Sequence, residues 1–287
     1  MVLAEVSGGL GNQMFQYACG KALAIRNSDR FSLDFSWYDR QDGRTFQLWR
    51  YNIDYEECDN AGLKSLRTAH KFRRWGERLL FGNRRIRENG TGYDDSVFRA
   101  KGNLYLQGFW QSEKYFRDCK RTIENEFCLV EELDVENRAW AEKIRQSRNA
   151  VSVHIRRGDY VTVPVNQEIF AEVSLNYYND SLKIMGSLLG EMNVFVFSND
   201  LPWAKANLVS DAPMFFVDVN DENNGHKDMH LMSLCGHNII ANSTFSWWGA
   251  WLNKNREKIV IAPRKWFKKE ELNHDDIIPD EWIVLPS

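Results

Sequence analysis

The second half of the chain alternates short apolar runs with helix-patterned segments, and that alternation leaves few folds open. Runs at 151–155, 193–198, 213–219, 238–242 and 258–262 have strand length and clear ends. Segments 176–189, 202–208, 227–236 and 244–254 have helical spacing. Strand–helix–strand repeats build a parallel sheet. The first half opens the same way: Val2 to Ser7 reads as a strand, Asn12 to Arg26 as a helix and Phe31 to Phe35 as a second strand. Residues 55–88 read as helical, Leu104-Tyr105-Leu106 as a strand, and 112–146 as helical and charged. The expected fold class is α/β, with two Rossmann-like domains of parallel sheet facing a cleft. The boundary is expected near 147–150, which gives domains 1–148 and 149–287, with the tail from about 264 crossing back to the first.

Bulk properties narrow the class. A net charge of −3 supplies no basic field for nucleic acid. Cysteines 19, 58, 119, 128 and 235 show no paired spacing, as expected of reduced thiols. No basic leader opens the chain, and no run approaches the ~20 apolar residues of a membrane span. A soluble, cytoplasmic protein is expected. The 11 tryptophans suit a sugar cleft, although large core side chains are the commoner use.

Four segments carry chemistry. Gly8-Gly9-Leu10-Gly11-Asn12-Gln13 lies between strand and helix, where glycines let backbone N–H groups approach a ligand. Asn12 either offers its amide to that ligand or caps the helix. His154-Ile155-Arg156-Arg157-Gly158-Asp159-Tyr160 ends a strand, with His154 and Arg156 on one face and Arg157 on the other. Arg156 suits a phosphate and His154 a nearby base or ribose, while Arg157 and Asp159 form a possible scaffold pair. Asn242 to Trp248 follows a strand, and Ser243 or Thr244 is a natural cap whose helix start can hold an anion. Asp200, after Phe197-Ser198-Asn199, faces two readings: acceptor for a guanine edge, or cap of the helix entered at Pro202. Asp228 and His230 read as supporting groups. Asp218, Asn220 and Asp221 faintly resemble a metal pair, but arginine plus a helix end makes a metal unnecessary.

Gly8 to Ala18, Gln107 to Phe116, His154 to Tyr160 and Asn242 to Leu252, in this order, resemble motifs of the bacterial α-1,2-fucosyltransferases. The resemblance implies a GT-B fold, GDP-β-L-fucose as donor and an inverting, metal-independent transfer to the 2-hydroxyl of a terminal galactose, with no cofactor. By the same resemblance Arg156 binds the β-phosphate, His154 and Asp200 the guanosine, and Ser243, Thr244 and Phe245 the diphosphate and base. Asn12 reaches in from the first domain, with Gln13, Trp110 and Gln111 on the acceptor side. Arg156 then carries catalysis, with Asp159 a candidate base. The expected partners are a nucleotide sugar and a galactose-ended or lipid-linked glycan of O-antigen type.

Residues 70–87 interleave Lys71, Arg73, Arg74, Arg78, Arg84, Arg85 and Arg87 with Phe72, Trp75, Leu79, Leu80 and Phe81. Such a segment either rests on an anionic membrane or is the solvated face of a helix. Two other functions compete. An NAD-dependent oxidoreductase rests on Gly9-x-Gly11 and Asp34, against Met14 in place of the third glycine. A noncatalytic glycan-binding protein rests on the tryptophans.

Overall fold

The computed structural model describes residues 1–41, 43–56, 84–158, 164–272 and 275–287, with 164–166 described as backbone only. The chain divides into two compact units. The first is Met1–Val130 with residues 275–279, and the second holds the rest of the chain from Glu131.

In the first unit the described elements are β1 (Val2–Glu5), α1 (Leu10–Asn27), β2 (Phe31–Asp34), β3 (Arg84–Arg87), β4 (Leu104–Gln107) and α2 (Lys120–Glu126). The four strands form a parallel sheet in the order β2-β1-β4-β3. Val2 sits beside Phe31 on one side and Leu104 on the other, so β1 is central and its apolar residues are buried on both faces. Helix α1 buries Met14, Phe15, Tyr17, Ala18 and Leu23 completely. It ends where Ser28 turns left-handed, at φ 51°, and closes the last turn with its N–H.

The second unit contributes α3 (Val135–Gln146), β5 (Ala150–Ile155), α4 (Pro164–Ile169), α5 (Leu175–Leu189), β6 (Asn193–Ser198), α6 (Leu201–Asn207), β7 (Met214–Val217), α7 (Gly225–Leu234), β8 (His237–Ile239), α8 (Thr244–Trp251), β9 (Val260–Pro263) and β10 (Ile283–Leu285). Its six parallel strands run β10-β9-β8-β5-β6-β7. Numbered from β5, that is the 3-2-1-4-5-6 order of a Rossmann sheet. Val151, Val153 and Ile155 of β5 pack with Val194 and Val196 of β6 and with Tyr177, Leu182 and Met185 of α5.

Three sequence expectations are revised. Arg84–Arg87 is a strand and not part of a helix, because its backbone pairs in register with Leu104–Gln107. The stretch 112–146 is broken into short turns, α2 and α3. The division falls after Val130 rather than near 148, because α3 packs within the second unit: Trp140 meets Phe195 edge-on at 6.4 Å, and Asn137 bonds Asn220. Of the tail, only 275–279 belongs with the first unit. The rest of 55–88 lies outside the described residues from 57 to 83.

Candidate functional site

In a doubly wound sheet the ligand crevice opens where strand order reverses, at the carboxyl ends of the two strands flanking that point. In the second unit those strands are β5 and β8. The two motifs singled out in the sequence, His154 to Gly158 and Asn242 to Ser246, follow these two strands.

The strand β5 delivers His154 buried, at 5% exposure, with its ring 5.5 Å from that of Phe245 at the start of α8. Burial and the neighbouring Arg156 charge push the imidazole down to about 3, so it is neutral at physiological pH. Its Nδ1 is buried and makes no hydrogen bond among the described residues. A neutral ring with an open nitrogen is suited to a ligand hydroxyl or base edge. Phe245 also lies against Gly225, where a Cβ would sit 3.5 Å from its ring.

Arg156 and Arg157 part company. Arg156 is half-buried and lines a cavity of about 360 Å³ with Arg157, Gln167, Phe170, Ala171, Glu172 and Lys268. Arg157 is held as scaffold: Nη1 lies 3.1 Å from Glu172, Nε lies 3.6 Å from Asp200, and the guanidinium sits 4.2 Å above the Trp203 ring. Its backbone N–H donates to Asn199 Oδ1 at 2.9 Å. The Asn199 amide comes so close to Gly158 that a Cβ there would overlap Nδ2 at 2.1 Å and would have to displace the side chain that holds the Arg157 N–H. Asp159 lies outside the described residues, and the partners of Arg157 found among the described residues are Glu172 and Asp200. Asp200 is the cap of α6: one oxygen accepts from Trp203 N–H at 3.1 Å and the other faces Arg157. Of its two sequence readings, the structure displays the cap.

Ser243 caps α8, its hydroxyl accepting from Phe245 N–H at 3.4 Å. Trp247, Trp248 and Trp251 are buried and pack on one another, so α8 is held rigidly. Its first turn, with the free N–H groups and positive dipole end of any helix start, begins five residues after the end of β8. Thr244 and Phe245 are half-buried there. Asn242 anchors the turn by donating to Ala171 and Trp266 carbonyls at 2.8 and 3.0 Å.

In the first unit the order reverses between β1 and β4. There Gln111 Nε2 donates to Asn12 Oδ1 at 2.9 Å, which brings two expected acceptor-side residues together. Gly8 holds φ +74°, and the cap of α1 is Gly9, without a side-chain bond. Asn12 is therefore inside the first turn and is not the cap. Gln13 and Trp110 are core residues rather than surface contacts. Gln13 is fully buried and ties Gly8, Thr45 and Gln47. Trp110 is 1% exposed and packs edge-on against Tyr115. The sequence hid the reason, which is Glu88: its carboxylate accepts from Phe109 and Trp110 N–H groups and fixes the turn.

The competing constellations are all occupied. Asp34 is fully buried and accepts from Tyr105 hydroxyl and Ser36 N–H, so no oxygen faces a ribose. Asn220 bonds Asn137 and Asp228, Asp221 caps a short turn, and Asp218 lies 3.8 Å from Lys205. Among the described residues no group of three or more His, Cys, Asp or Glu is placed to hold a metal. Burial pushes the Asp228 carboxyl up to about 7 and the His230 imidazole down to about 4. The four described cysteines are unpaired. Among the described residues no helix is long and apolar enough to cross a membrane.

The model of glycosyl transferase family 11 matches residues 88–286. An α-1,2-colitosyltransferase of Escherichia coli is 35% identical over 99% of each chain. The E. coli O-antigen biosynthesis glycosyltransferase WbnK is 32% identical over 98% of this chain and 99% of its own. A galactoside α-(1,2)-fucosyltransferase 1 of Leontocebus fuscicollis is 30% identical over 52% of this chain and 43% of its own. Among solved structures, NodZ α-1,6-fucosyltransferase soaked with GDP-fucose superposes with TM-score 0.51 at 16% identity, over 88% of this chain and 91% of that one. A variant of Arabidopsis thaliana FUT1 in complex with GDP gives 0.52 at 10% identity, over 96% and 74%. At such identities the likeness concerns the fold, and it is the GT-B α/β fold.

Proposed function

The chain belongs to glycosyl transferase family 11, and from that premise we propose that it is a galactoside α-1,2-fucosyltransferase of O-antigen assembly. It transfers L-fucose from GDP-β-L-fucose to the 2-hydroxyl of a terminal galactose, with inversion and with no metal or other cofactor. The observation that carries this reading is the pairing, at one switch point, of Arg156 after β5 with the capped start of α8 after β8.

As the bond from sugar to diphosphate stretches, negative charge grows on the departing nucleotide and positive charge on the sugar. A guanidinium and a rigid helix start aimed at the growing anion stabilise the transition state more than the ground state. The two need no reorganisation, since α8 is locked by its tryptophans. His154, neutral and buried against Phe245, serves the nucleoside end as a hydrogen-bonding wall rather than as an acid. Asp200 supports the same end through Arg157. Asn12 and Gln111 present amides to the acceptor galactose. Asp159 remains the base in this reading. A peripheral contact of residues 70–87 with anionic lipid belongs to the same proposal, on the strength of the interleaved arginines and aromatics.

A second donor is favoured by one finding, the similarity to a colitosyltransferase. Colitose is fucose without its 3-hydroxyl, so the same diphosphate grip serves both. The test is incubation with GDP-fucose or GDP-colitose, EDTA and a panel of galactosides, with the new linkage read by NMR. Transfer of fucose to the galactose 2-hydroxyl is expected. Consumption of GDP-colitose alone refutes the fucosyl reading, and activity abolished by EDTA refutes metal independence.

A further inference from the structure

The loop after β9 has no part in the motifs discussed so far, yet it is fastened to the donor side of the second unit. Phe170 and Phe267 form an antiparallel bridge, with their rings 5.8 Å apart. Lys268 N–H donates to Ile169 carbonyl at 2.9 Å, and Ala171 N–H donates to Trp266 carbonyl at 3.1 Å. The Asn242 amide clips both strands of this pair, through Ala171 and Trp266, to the residue before the Ser243 cap. The backbone that carries Lys268 is thereby registered to the start of α8.

The same cavity of about 360 Å³ has Arg156, Arg157 and Lys268 as its cations and Glu172 as its carboxylate. Arg157 is balanced by Glu172 and Asp200. Lys268 is exposed, and among the described residues no carboxylate lies within ion-pair distance of it. A nucleotide sugar carries a negative charge on each phosphate group, and a further charge develops as the sugar leaves. Arg156 and a helix end worth about half a charge do not balance that. We propose that Lys268 is a donor-binding residue that supplies a second full cation to the diphosphate of the nucleotide sugar. The β9 loop thus contributes Lys268 from one wall while β5 contributes Arg156. This rests on the reading that the Arg156 cavity receives the diphosphate. A lysine suits the place, because a point charge on a flexible stem follows phosphate oxygens whose charge changes during the reaction.

The test is calorimetric titration of the full-length protein and of K268Q, K268R and R156A with GDP, and separately with guanosine. K268Q is expected to bind GDP about 5- to 10-fold more weakly, the size of one solvent-screened charge-assisted bond. Guanosine affinity stays unchanged, K268R stays within about twofold of the parent, and the deficit shrinks as salt rises. If K268Q loses guanosine and GDP affinity alike, the effect is structural and the assignment is overturned. If R156A loses GDP affinity while K268Q does not, Lys268 is removed and the donor cavity stands. If neither variant loses it, the reading of the cavity itself falls.

Discussion

If Arg156 grips the departing diphosphate as proposed, truncating it to alanine should separate binding from catalysis. The side chain is half-buried and follows β5, all six residues of which are buried and paired to β6, three of them to β8 as well. Removing it therefore leaves the sheet in register, and a thermal transition within about 2 °C of the parent is expected, as for an ordinary surface change. In the ground state the lost charge-assisted bond is worth about 1.5–3 kcal/mol before solvent screening. In the transition state the diphosphate carries more charge, and one preorganised donor to a developing anion is worth ~10²–10³-fold, or about 2.7–4 kcal/mol. Turnover should thus fall by at least ~10²-fold while KM for GDP-fucose rises by much less, about 10-fold. R156K keeps the charge but loses the fork, and should fall between. The assay is coupled GDP release under saturating acceptor, with kcat and KM fitted separately. A rise in KM at near-wild-type turnover in R156A would mean uniform binding of ground and transition states, and would falsify the electrostatic role outright.

Arg157 behaves in the opposite way. R157A removes two partly exposed ion pairs and the Trp203 contact, so it should lose about 1–2 kcal/mol of stability in a denaturant melt and lower kcat less than R156A does. An unchanged midpoint would contradict the scaffold assignment. Q111A leaves Asn12 without its partner and should raise the acceptor KM several-fold at unchanged GDP-fucose KM; a change confined to the donor KM counts against an acceptor role. The Asp228 carboxyl is raised by burial from an ordinary 3.8 to about 7, so the folded chain holds a proton that the unfolded chain releases earlier. Its stabilising contribution is complete below the ordinary value and is lost as pH climbs through about 7. D228N should flatten the fall of melting temperature over that window, and an identical pH profile for D228N and the parent would exclude it.

What could be read in the sequence, and what could not, follows from how local each determinant is. The ends of β5, β6 and β8 are marked by apolar runs that stop, and the polar residues just past them stand where a parallel sheet presents ligands. That logic singled out His154, Arg156 and Ser243 as candidates without any strand order, and the same reading of the turn after β1 singled out Asn12. The resemblance of ordered motifs added the GT-B class and the family. Strand β3 escaped because Arg84-Arg85-Ile86-Arg87 carries no period-two apolar signal; as an edge strand it needs only backbone pairing with β4. The burial of Trp110 was not legible, because the Glu88 carboxylate that holds its backbone N–H is brought to it by that unseen pairing. Lys268 sits in a basic run that read as a mere tail, since only the clip of Asn242 onto Ala171 and Trp266 joins it to the β8 end. Each omission is a contact between segments far apart in the chain, in which one side chain is chosen by a partner's backbone. Local periodicity shows which loops face a ligand, but which side chains line them is settled by strand order and by such clips. The residues most worth mutating next are therefore those that join the loops, Asn242 foremost. N242A should release the β9 loop from the helix start and weaken GDP binding through Lys268 without touching Arg156.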